Sequence, residues 1–531
     1  MRKLRIVALA LATCMLLALV AACAPSAPPA PAQVAPGTPG VAAVRDTVVI
    51  TQTAEPMQFV GLCSDFATFP SRDGIVTSNI YETLLYLEHD GRISPMLATG
   101  FSMSDDGLVY TFYLRDDVYF HDGYKMTSAD VVFTFNTALV LNPTLAGALL
   151  TNFTHAVAID DYTVEFHLSS PSPIFPTNTT TRIVKILSER HFEAVGGSQG
   201  YNERPIGTGP YMFYNRVPGE SVTLVAHNNH WLGPPQIQTV VIRPIGTIAT
   251  QFLALESGEV DVIALADIPS CLRIVSPDIT WGYTPSSSRV ILVFFSAPPR
   301  ILSDRELRRA IQSAINKEDV LLGVMDGIGI IMDVDANETK TGFPAPGMLD
   351  PVPQFNLDAA RAHLAASNYN GETLVLAVSS GTPEERAGQI IQGQLLQIGI
   401  NVEVRSVDES TRLTLSNTGE GIDMIINVAG ATMNDVAALS WNYAHSHVAI
   451  PRFDPDLLEV THQLVRAADV ELDTVRRQQL AADVLNIVTY EALTIPLYAP
   501  VNAAAWRVGL EGVQPHMNGI VYRVRDWSWT P

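Results

Sequence analysis

One pentapeptide in the sequence matches the motif that positions a catalytic serine in many hydrolases. Gly196-Gly197-Ser198-Gln199-Gly200 fits G-x-S-x-G by residue type. That motif acts as a sharp turn between a buried strand and a helix, which exposes the serine hydroxyl. Here residues 191–195 are predicted to be helical and residues 201–205 to form a polar loop. The context for a nucleophile is missing, so we predict no catalytic residue and no enzymatic activity.

Closely spaced histidines suggest a different chemistry, metal binding. His445 and His447 would place two imidazoles on one side of an extended chain, with Asp435 and His462 as further ligands. Histidine pairs of this kind are more often solvated loop residues, so we predict no metal site and no cofactor. The phosphate-binding pattern G-x-x-x-x-G-K-[ST] does not occur in the sequence. Any ATP hydrolysis would therefore belong to another subunit.

The thiol of Cys23 is a candidate for covalent modification. Arg2, Lys3 and Arg5 precede an apolar run over residues 6–22, which is the pattern of a secretory signal peptide. The run ends at Val20-Ala21-Ala22-Cys23, which resembles the bacterial lipobox, where cleavage before the cysteine leaves that cysteine acylated. We predict a signal peptide over residues 1–22 and lipidation of Cys23. The alternative is an uncleaved membrane-spanning helix.

The segment after Cys23 is predicted to be a tether over residues 23–45. Residues 24–40 are rich in Pro and Ala and contain neither charged nor aromatic side chains, so they can form no core. A lipid-anchored protein needs such a linker so that its folded part can reach a membrane partner.

Length and charge limit the remaining function classes. A chain of 531 residues is too long for one hydrophobic core, so at least two lobes are expected. The formal net charge of -21 argues against a nucleic-acid partner. No run after the signal peptide approaches eighteen apolar residues, so no second membrane span is predicted.

The other cysteines leave two interpretations open. Cys14 would leave with the signal peptide, so Cys63 and Cys271 remain for the folded part. An oxidising compartment favours a disulfide between them, and the alternative is two separate buried thiols.

Residue periodicity predicts an α/β framework. Residues 374–378 are expected to form a strand, 384–398 a helix that Gly399 ends, and 400–404 a second strand, which makes a βαβ unit with parallel strands. Asp304 is expected to begin another helix. The remaining predicted strands are 47–51, 110–114, 162–168 and 494–498, and the remaining helices are 75–85, 128–139, 456–468 and 474–490.

Several sequence blocks resemble the family 5 bacterial solute-binding proteins, which include oligopeptide, dipeptide and nickel binders. The most specific is LATGFSMSDDGLVYTFYLRDDVYFHDG over residues 97–123, which continues in register through Phe133. Similar blocks follow in family order: PIGTGPY over 205–211, WLGPP over 231–235, ALESGEVD over 254–261, LRRAIQSAINKEDV over 307–320, and Gly342-Phe343-Pro344. These blocks identify the family without contacting the ligand; glycines of the 205–211 block are expected in a tight turn.

The resemblance implies a two-lobed, type II (Venus-flytrap) periplasmic-binding-protein fold with an extra α+β subdomain inserted in the first lobe. The boundaries we predict are 46–80, 200–295 and 490–531 for the first lobe, 81–199 for the inserted subdomain, and 296–489 for the second lobe. We also predict a monomer that lies outside the cytoplasm, anchored by lipid to the outer face of the membrane or in the periplasm, and that works with ABC permease and separate ATPase subunits.

The resemblance also points to ligand-binding positions. Peptide binders of the family carry, after a strand of the second lobe, an aspartate that pairs with the ligand's α-amino group. Ala431 is aligned with that aspartate, and Asp435 would replace it only if the loop shifted. An unpaired amine in a dry cleft is costly, which argues against an ordinary free-amine peptide. The predicted ligand contacts are Phe59, Asp65, Phe66, Asn434, Asp435, Trp441 and Tyr443.

The resulting expectation is a substrate-binding lipoprotein that delivers a small solute to an ABC importer by closing its lobes. The solute is a peptide or peptide-like molecule by family, or a neutral solute such as an oligosaccharide. A bridge between Cys63 and Cys271 would brace the rim of the cleft. The alternatives are a surface hydrolase and a sensory lipoprotein that acts without a transporter.

Overall fold

The computed structural model describes residues 45–59, 73–88, 91–141, 150, 152–180, 184–336, 338, 340–429, 453–519 and 521–530. Its strands are β1 (Thr47–Gln52), β2 (Leu85–Leu87), β3 (Ile93–Pro95), β4 (Ala98–Met103), β5 (Val109–Leu114), β6 (Phe153–Asp160), β7 (Thr163–Leu168), β8 (Tyr211–Val217), β9 (Ser221–Ala226), β10 (Thr239–Pro244), β11 (Val262–Ala266), β12 (Ile279–Pro285), β13 (Arg289–Phe294), β14 (Ile330–Ile331), β15 (Thr373–Ser379), β16 (Asn401–Val407), β17 (Met424–Ala429), β18 (Thr494–Ala499), β19 (Val501–Arg507), β20 (Leu510–Glu511) and β21 (Ser528–Trp529).

The helices alternate with these strands over most of the chain. They are α1 (Gly74–Ile80), α2 (Ser128–Leu141), α3 (Phe175–Asn178), α4 (Glu189–Ala194), α5 (Ser198–Glu203), α6 (Ile248–Ser257), α7 (Ile268–Cys271), α8 (Arg305–Ala314), α9 (Lys317–Met325), α10 (Leu357–Ala366), α11 (Pro383–Leu396), α12 (Glu409–Thr418), α13 (Pro455–Val470) and α14 (Thr474–Tyr490). No helix in the described ranges is both long and apolar enough to cross a membrane.

A seven-stranded mixed sheet carries the first core. Its strand order is β12-β19-β11-β1-β10-β9-β8, and β1 pairs in parallel with both β10 and β11. Val48 and Ile50 of β1 are fully buried and pack with Val240 and Ile242 of β10. The predicted strand over 47–51 is confirmed here.

A six-stranded sheet carries the second core, in the order β14-β18-β13-β17-β15-β16. The predicted βαβ unit is confirmed, because β15 and β16 pair in parallel on either side of α11. Strand β13 is buried along its whole length since helices cover both faces of the sheet, so its residues are continuously apolar after Arg289.

A four-stranded antiparallel sheet, β4-β5-β7-β6, forms a third unit. Its buried face is strongly aromatic: the rings of Phe135 and Phe166 lie 4.6 Å apart, and Phe112 and Phe175 pack against Phe166. Edge-to-face and offset ring packing stabilises such a core. The period-2 patterns at 110–114 and 162–168 predicted both central strands.

Both predicted boundaries of the second lobe, at residues 296 and 489, are wrong. The chain enters the six-stranded sheet earlier than predicted and leaves it later. Strands β13 and β18, which we had placed in the first lobe, belong to the six-stranded sheet. The crossings lie between Pro285 and Arg289 and between Ala499 and Val501, where the backbone N–H of Ser286 donates to Pro500 O at 2.9 Å. Apolar strands carry no signal for which of two buried sheets they join.

Two local predictions also change. The helix predicted over 75–85 ends at Ile80, because Tyr81 is extended. The polar loop predicted over 201–205 is wrong at its start, because residues 198–203 form the short helix α5, in which Tyr201 is buried and donates its hydroxyl to Ile206 O at 2.7 Å. Tertiary burial of this one aromatic side chain outweighs the polar composition of the segment.

Candidate ligand-binding site

The carboxyl ends of parallel strands mark where a ligand is expected. In open α/β sheets, ligands bind in the crevice beyond these ends. In the seven-stranded sheet β1 ends at Gln52, and in the six-stranded sheet β17 ends at Ala429. The two loops in which we predicted ligand contacts follow these two strands directly.

Phe59 is the one predicted ligand contact that the structure describes. Its ring is 3% exposed and lies 5.3 Å from the ring of Phe213 in the first core. Its backbone N–H donates to Asn202 Oδ1 at 2.5 Å. In this structure Phe59 is therefore a core residue and not an open ligand contact.

The other predicted ligand contacts and the predicted lipidation site lie outside the described residues and stay predictions: Asp65, Phe66, Asn434, Asp435, Trp441, Tyr443 and Cys23. Cys63, Ala431, His445 and His447 lie outside the described residues as well. Cys271 is buried and has no disulfide partner among the described residues, and burial raises the pKa of its thiol to about 12. Because Cys63 is not described, the bridge between the two cysteines also stays a prediction.

The loop after β1 is fixed to the first sheet at its start. Asp73 Oδ1 accepts hydrogen bonds from the backbone N–H groups of Met57 and Gln58 at 2.6 and 3.1 Å. Glu55 forms an ion pair with Arg216, whose Nη2 lies 2.5 Å from the carboxylate. These contacts hold one wall of the candidate cleft in place.

A polar network lies at the carboxyl edge of the six-stranded sheet, and sequence analysis missed it. Arg412 of α12 donates from Nη2 to Glu409 Oε1 at 2.7 Å and from Nη1 to Asn427 Oδ1 at 2.5 Å. The hydroxyl of Ser379, at the end of β15, donates to Glu409 Oε2 at 2.6 Å. These contacts, the one from Arg412 foremost, lower the pKa of Glu409. The network ties the ends of β15 and β17 to α12, directly before the stretch from residue 430 in which we predicted ligand contacts.

A buried ion pair lies where the chain crosses into the six-stranded sheet. Arg289, the first residue of β13, is 1% exposed and donates from Nε to Asp335 Oδ1. Thr494 Oγ1 donates to Asp335 Oδ2 at 3.4 Å. Arg289 is paired across the sheet with Ala429, the last residue of β17. The pair thus fixes the crossing beside the predicted ligand loop.

His121 has a structural role. Its Nδ1 accepts from the backbone N–H of Gly207 at 3.2 Å, so Nε2 carries the proton and donates to Gly209 O at 3.0 Å. Burial lowers its pKa to about 3, so the imidazole is neutral at physiological pH. A histidine with both nitrogens engaged by backbone is available for neither catalysis nor metal binding.

The context predicted for the hydrolase motif is confirmed on one side only. Helix α4 precedes Gly196, so no strand leads into the turn, whereas the helix α5 begins at Ser198, where we predicted none. Among the described residues there is no group of three His, Cys, Asp or Glu side chains that could hold a metal ion.

The fold defines the class of protein. Two α/β sheets joined by paired crossings, with an antiparallel unit attached, form the two-lobed architecture of solute-binding proteins. The chain of Listeria monocytogenes CtaP, an ABC transporter substrate-binding protein, matches this fold with a TM-score of 0.82 at 21% identity, over 92% of this chain and 100% of that one. HbpA2 of Haemophilus parasuis matches with a TM-score of 0.78 at 22% identity, over 91% and 100% of the chains.

The family follows from the sequence comparison. Residues 92–449 match the description "Bacterial extracellular solute-binding proteins, family 5 Middle". The chain therefore belongs to family 5 of the bacterial extracellular solute-binding proteins, as its sequence blocks predicted.

Curated relatives extend the similarity along most of the chain. The "Probable ABC transporter periplasmic-binding protein SapA" of Escherichia coli is 25% identical over 82% of this chain and 85% of its own length. The oligopeptide-binding protein AppA of Bacillus subtilis is 23% identical over 90% and 91%. The first name describes a probable binding protein of an ABC transporter, and the second describes an oligopeptide-binding protein.

Proposed function

We propose that this protein is the extracytoplasmic substrate-binding lipoprotein of an ABC importer. The observation that carries the proposal is the family match over residues 92–449. The two-lobed fold supports it, because the predicted ligand contacts follow the carboxyl ends of β1 and β17. No bond is made or broken: the ligand fills the crevice and favours a closed arrangement of the lobes, which the permease then recognises.

The proposed ligand is a small solute, either peptide-like or neutral. On this fold, DppA of Helicobacter pylori is in complex with the peptide STSA, and AgaA of Agrobacterium tumefaciens is in complex with agropinic acid. The fold therefore accepts different chemistries, and the loop residues decide among them. Ala431, aligned with the amine-binding aspartate of peptide binders, supports a ligand without a free α-amino group.

A thermal-shift screen of the purified protein tests the ligand class. Peptides with free amino termini, the same peptides N-acetylated, oligosaccharides and metal chelates are compared at equal concentration. We expect the blocked peptides or oligosaccharides to raise the midpoint more than the free peptides do. Strong stabilisation by free di- to pentapeptides would contradict the inference from Ala431.

The proposed anchor is the acylated thiol of Cys23. Expression of the full chain and of Cys23→Ser, followed by membrane fractionation and mass spectrometry, tests it. We expect the unchanged chain in the membrane fraction with an acyl mass on the N-terminal fragment, and the variant without that mass. An unacylated mature N-terminus in both would overturn the anchor and leave the transport role standing.

A further inference from the structure

A cavity of about 700 Å³ opens in the segments that flank the edge of the six-stranded sheet. Its walls are formed by the stretches 330–338 and 343–354 together with Ala499. Sites for small organic ligands typically measure about 300–1,000 Å³. The cavity is therefore large enough for a molecule well beyond the size of water or a single ion.

The walls of this cavity are held in place before any ligand arrives. Ile330 of the edge strand β14 pairs with Ala499 of β18. On the opposite wall, Gln478 Nε2 of α14 donates to Phe343 O at 2.9 Å, and Asn486 Oδ1 of the same helix accepts from the backbone N–H of Asp350 at 2.9 Å. No described lining residue comes from the seven-stranded sheet. The described lining residues therefore come from the six-stranded sheet and the segments that flank it.

The inner wall of the cavity is apolar. Val334 and Ala336 belong to the second core, and Phe343, Leu349 and Val352 pack against that core while still lining the cavity. When the apolar part of a ligand displaces water from such a wall, the burial of apolar surface favours binding.

The charged groups of the cavity are all acidic. Asp333, Glu338 and Asp350 line it, and the described lining residues include no Lys, Arg or His. The ammonium of Lys317 donates to Met332 O at 2.7 Å and interacts with Asp333, so it offsets that carboxylate. The side chains of Glu338 and Asp350 form no hydrogen bond or ion pair within the described part of the chain. Two exposed carboxylates without a partner among the described residues therefore line the same cavity as the apolar wall.

We propose that this cavity binds an apolar molecule that carries one cationic amine. The apolar body contacts the wall formed by Val334, Phe343 and Val352, and the ammonium lies between Glu338 and Asp350. An anion of the same shape is repelled by both carboxylates. The proposal does not depend on the transport role, since binding to this cavity can be tested without an importer.

Three probes with the same phenylethyl body test the charge preference: phenethylamine, 2-phenylethanol and 3-phenylpropanoate. Binding to the purified protein is followed by NMR of the 13C-labelled methionine methyl groups, because Met332 lines the cavity. The Met332 signal is identified from its loss in Met332→Leu. We expect this signal to shift with phenethylamine at the lowest concentration, with 2-phenylethanol at a higher one, and not with 3-phenylpropanoate.

Charge-neutral variants then assign the preference to the cavity. Glu338→Gln and Asp350→Asn should each weaken phenethylamine about threefold, the scale of one exposed ion pair, and leave 2-phenylethanol unchanged. Glu420→Gln is the matched control, since Glu420 is an exposed acid of the same lobe away from the cavity. Equal affinity for the three probes, an unmoved Met332 signal, or equal weakening by Glu338→Gln and Glu420→Gln would overturn the proposal.

Discussion

At the scale of single residues, the buried polar groups of this protein serve mainly to fix the backbone. His121 and His227 both direct a ring nitrogen to Gly209 O, and their ring centroids lie 5.0 Å apart. Burial lowers the pKa of both imidazoles, to about 3 for His121. Two neutral histidines thus brace the turn that leads into β8.

These histidines make stability depend on pH in a defined direction. The pKa of His121 is about 3 in the folded protein and near 6.5 in the unfolded chain, so below pH 6.5 the unfolded chain binds more protons. The free energy of unfolding should therefore fall as the pH drops from 7 to 4.5. In His121→Gln this fall should be smaller by on the order of 1–2 kcal/mol, measured by urea denaturation at both pH values. His155→Gln, at an exposed histidine, is the control; an unchanged fall in His121→Gln contradicts the prediction.

The ion pair of Arg289 and Asp335 gives a second prediction at this scale. Asp335→Ala should lower the free energy of unfolding by about 3–5 kcal/mol, because it leaves a buried guanidinium without its carboxylate. Replacing both residues, as Arg289→Met with Asp335→Leu, should cost less than Asp335→Ala alone. Urea denaturation of the three variants measures this, and an equal or larger loss in the double variant would show that the pair itself is not the source.

At the scale of elements, the backbone of the PIGTGPY block packs closely against the end of helix α1. We expected its glycines in a tight turn, yet neither Gly207 nor Gly209 has a positive φ. A Cβ on Gly207 would overlap the carbonyl oxygen of Ile80, and one on Gly209 would lie 2.5 Å from Asn79 O. The block therefore passes directly under the end of α1, and the backbone N–H of Gly209 donates to Ile80 O at 2.9 Å.

This close packing predicts that adding a side chain at Gly209 destabilises the protein. Gly209→Ala should lower the free energy of unfolding by about 1–3 kcal/mol, because backbone atoms on α1 must move. Gly246→Ala is the matched control, since an added Cβ meets no atom within 4 Å there, and its effect should stay within about 0.5 kcal/mol. Equal effects of the two substitutions in urea denaturation would contradict the close-approach account.

At the scale of the whole molecule, the two ends of the folded part are joined. Arg45 Nη2 lies 2.7 Å from a carboxylate oxygen of the buried Asp261, and its guanidinium lies 4.3 Å from the centre of the Trp529 ring. Trp529 Nε1 in turn donates to Thr47 O at 3.0 Å. Arg45, the last residue of the predicted tether, is thus fixed to the first sheet and to the last strand.

Replacing Arg45 should destabilise both ends of the folded part together. Arg45→Ala should lower the free energy of unfolding by about 1 kcal/mol, because the buried Asp261 loses a charged partner that is itself 43% exposed and keeps the backbone N–H of Val49. It should also speed proteolysis near Thr47. Arg273→Ala, at an exposed arginine, should change stability by less than about 0.5 kcal/mol. If both variants behave alike in denaturation and limited proteolysis, Arg45 does not hold the two ends of the folded part together.

Much of the local structure could be predicted, and the reasons are specific. Strands β1, β5, β7 and β15 alternate buried and exposed residues, or are uniformly apolar between turns, and helices α13 and α14 have apolar residues at helical spacing. Helix α5 was missed because its one buried residue, Tyr201, is held by packing against α4, which no local pattern records.

The sequence by itself determined the family, the α/β class and the absence of a nucleophile context, because these depend on residue types at fixed short spacing. Only the tertiary structure decided which sheet β13 and β18 join, that Phe59 lies in a core, and that Arg289 meets Asp335. Each of these depends on residues far apart in the chain, whose approach is set by the packing of whole sheets. The acidic cavity beside β14 belongs to the same class, since its two walls meet only in the folded molecule.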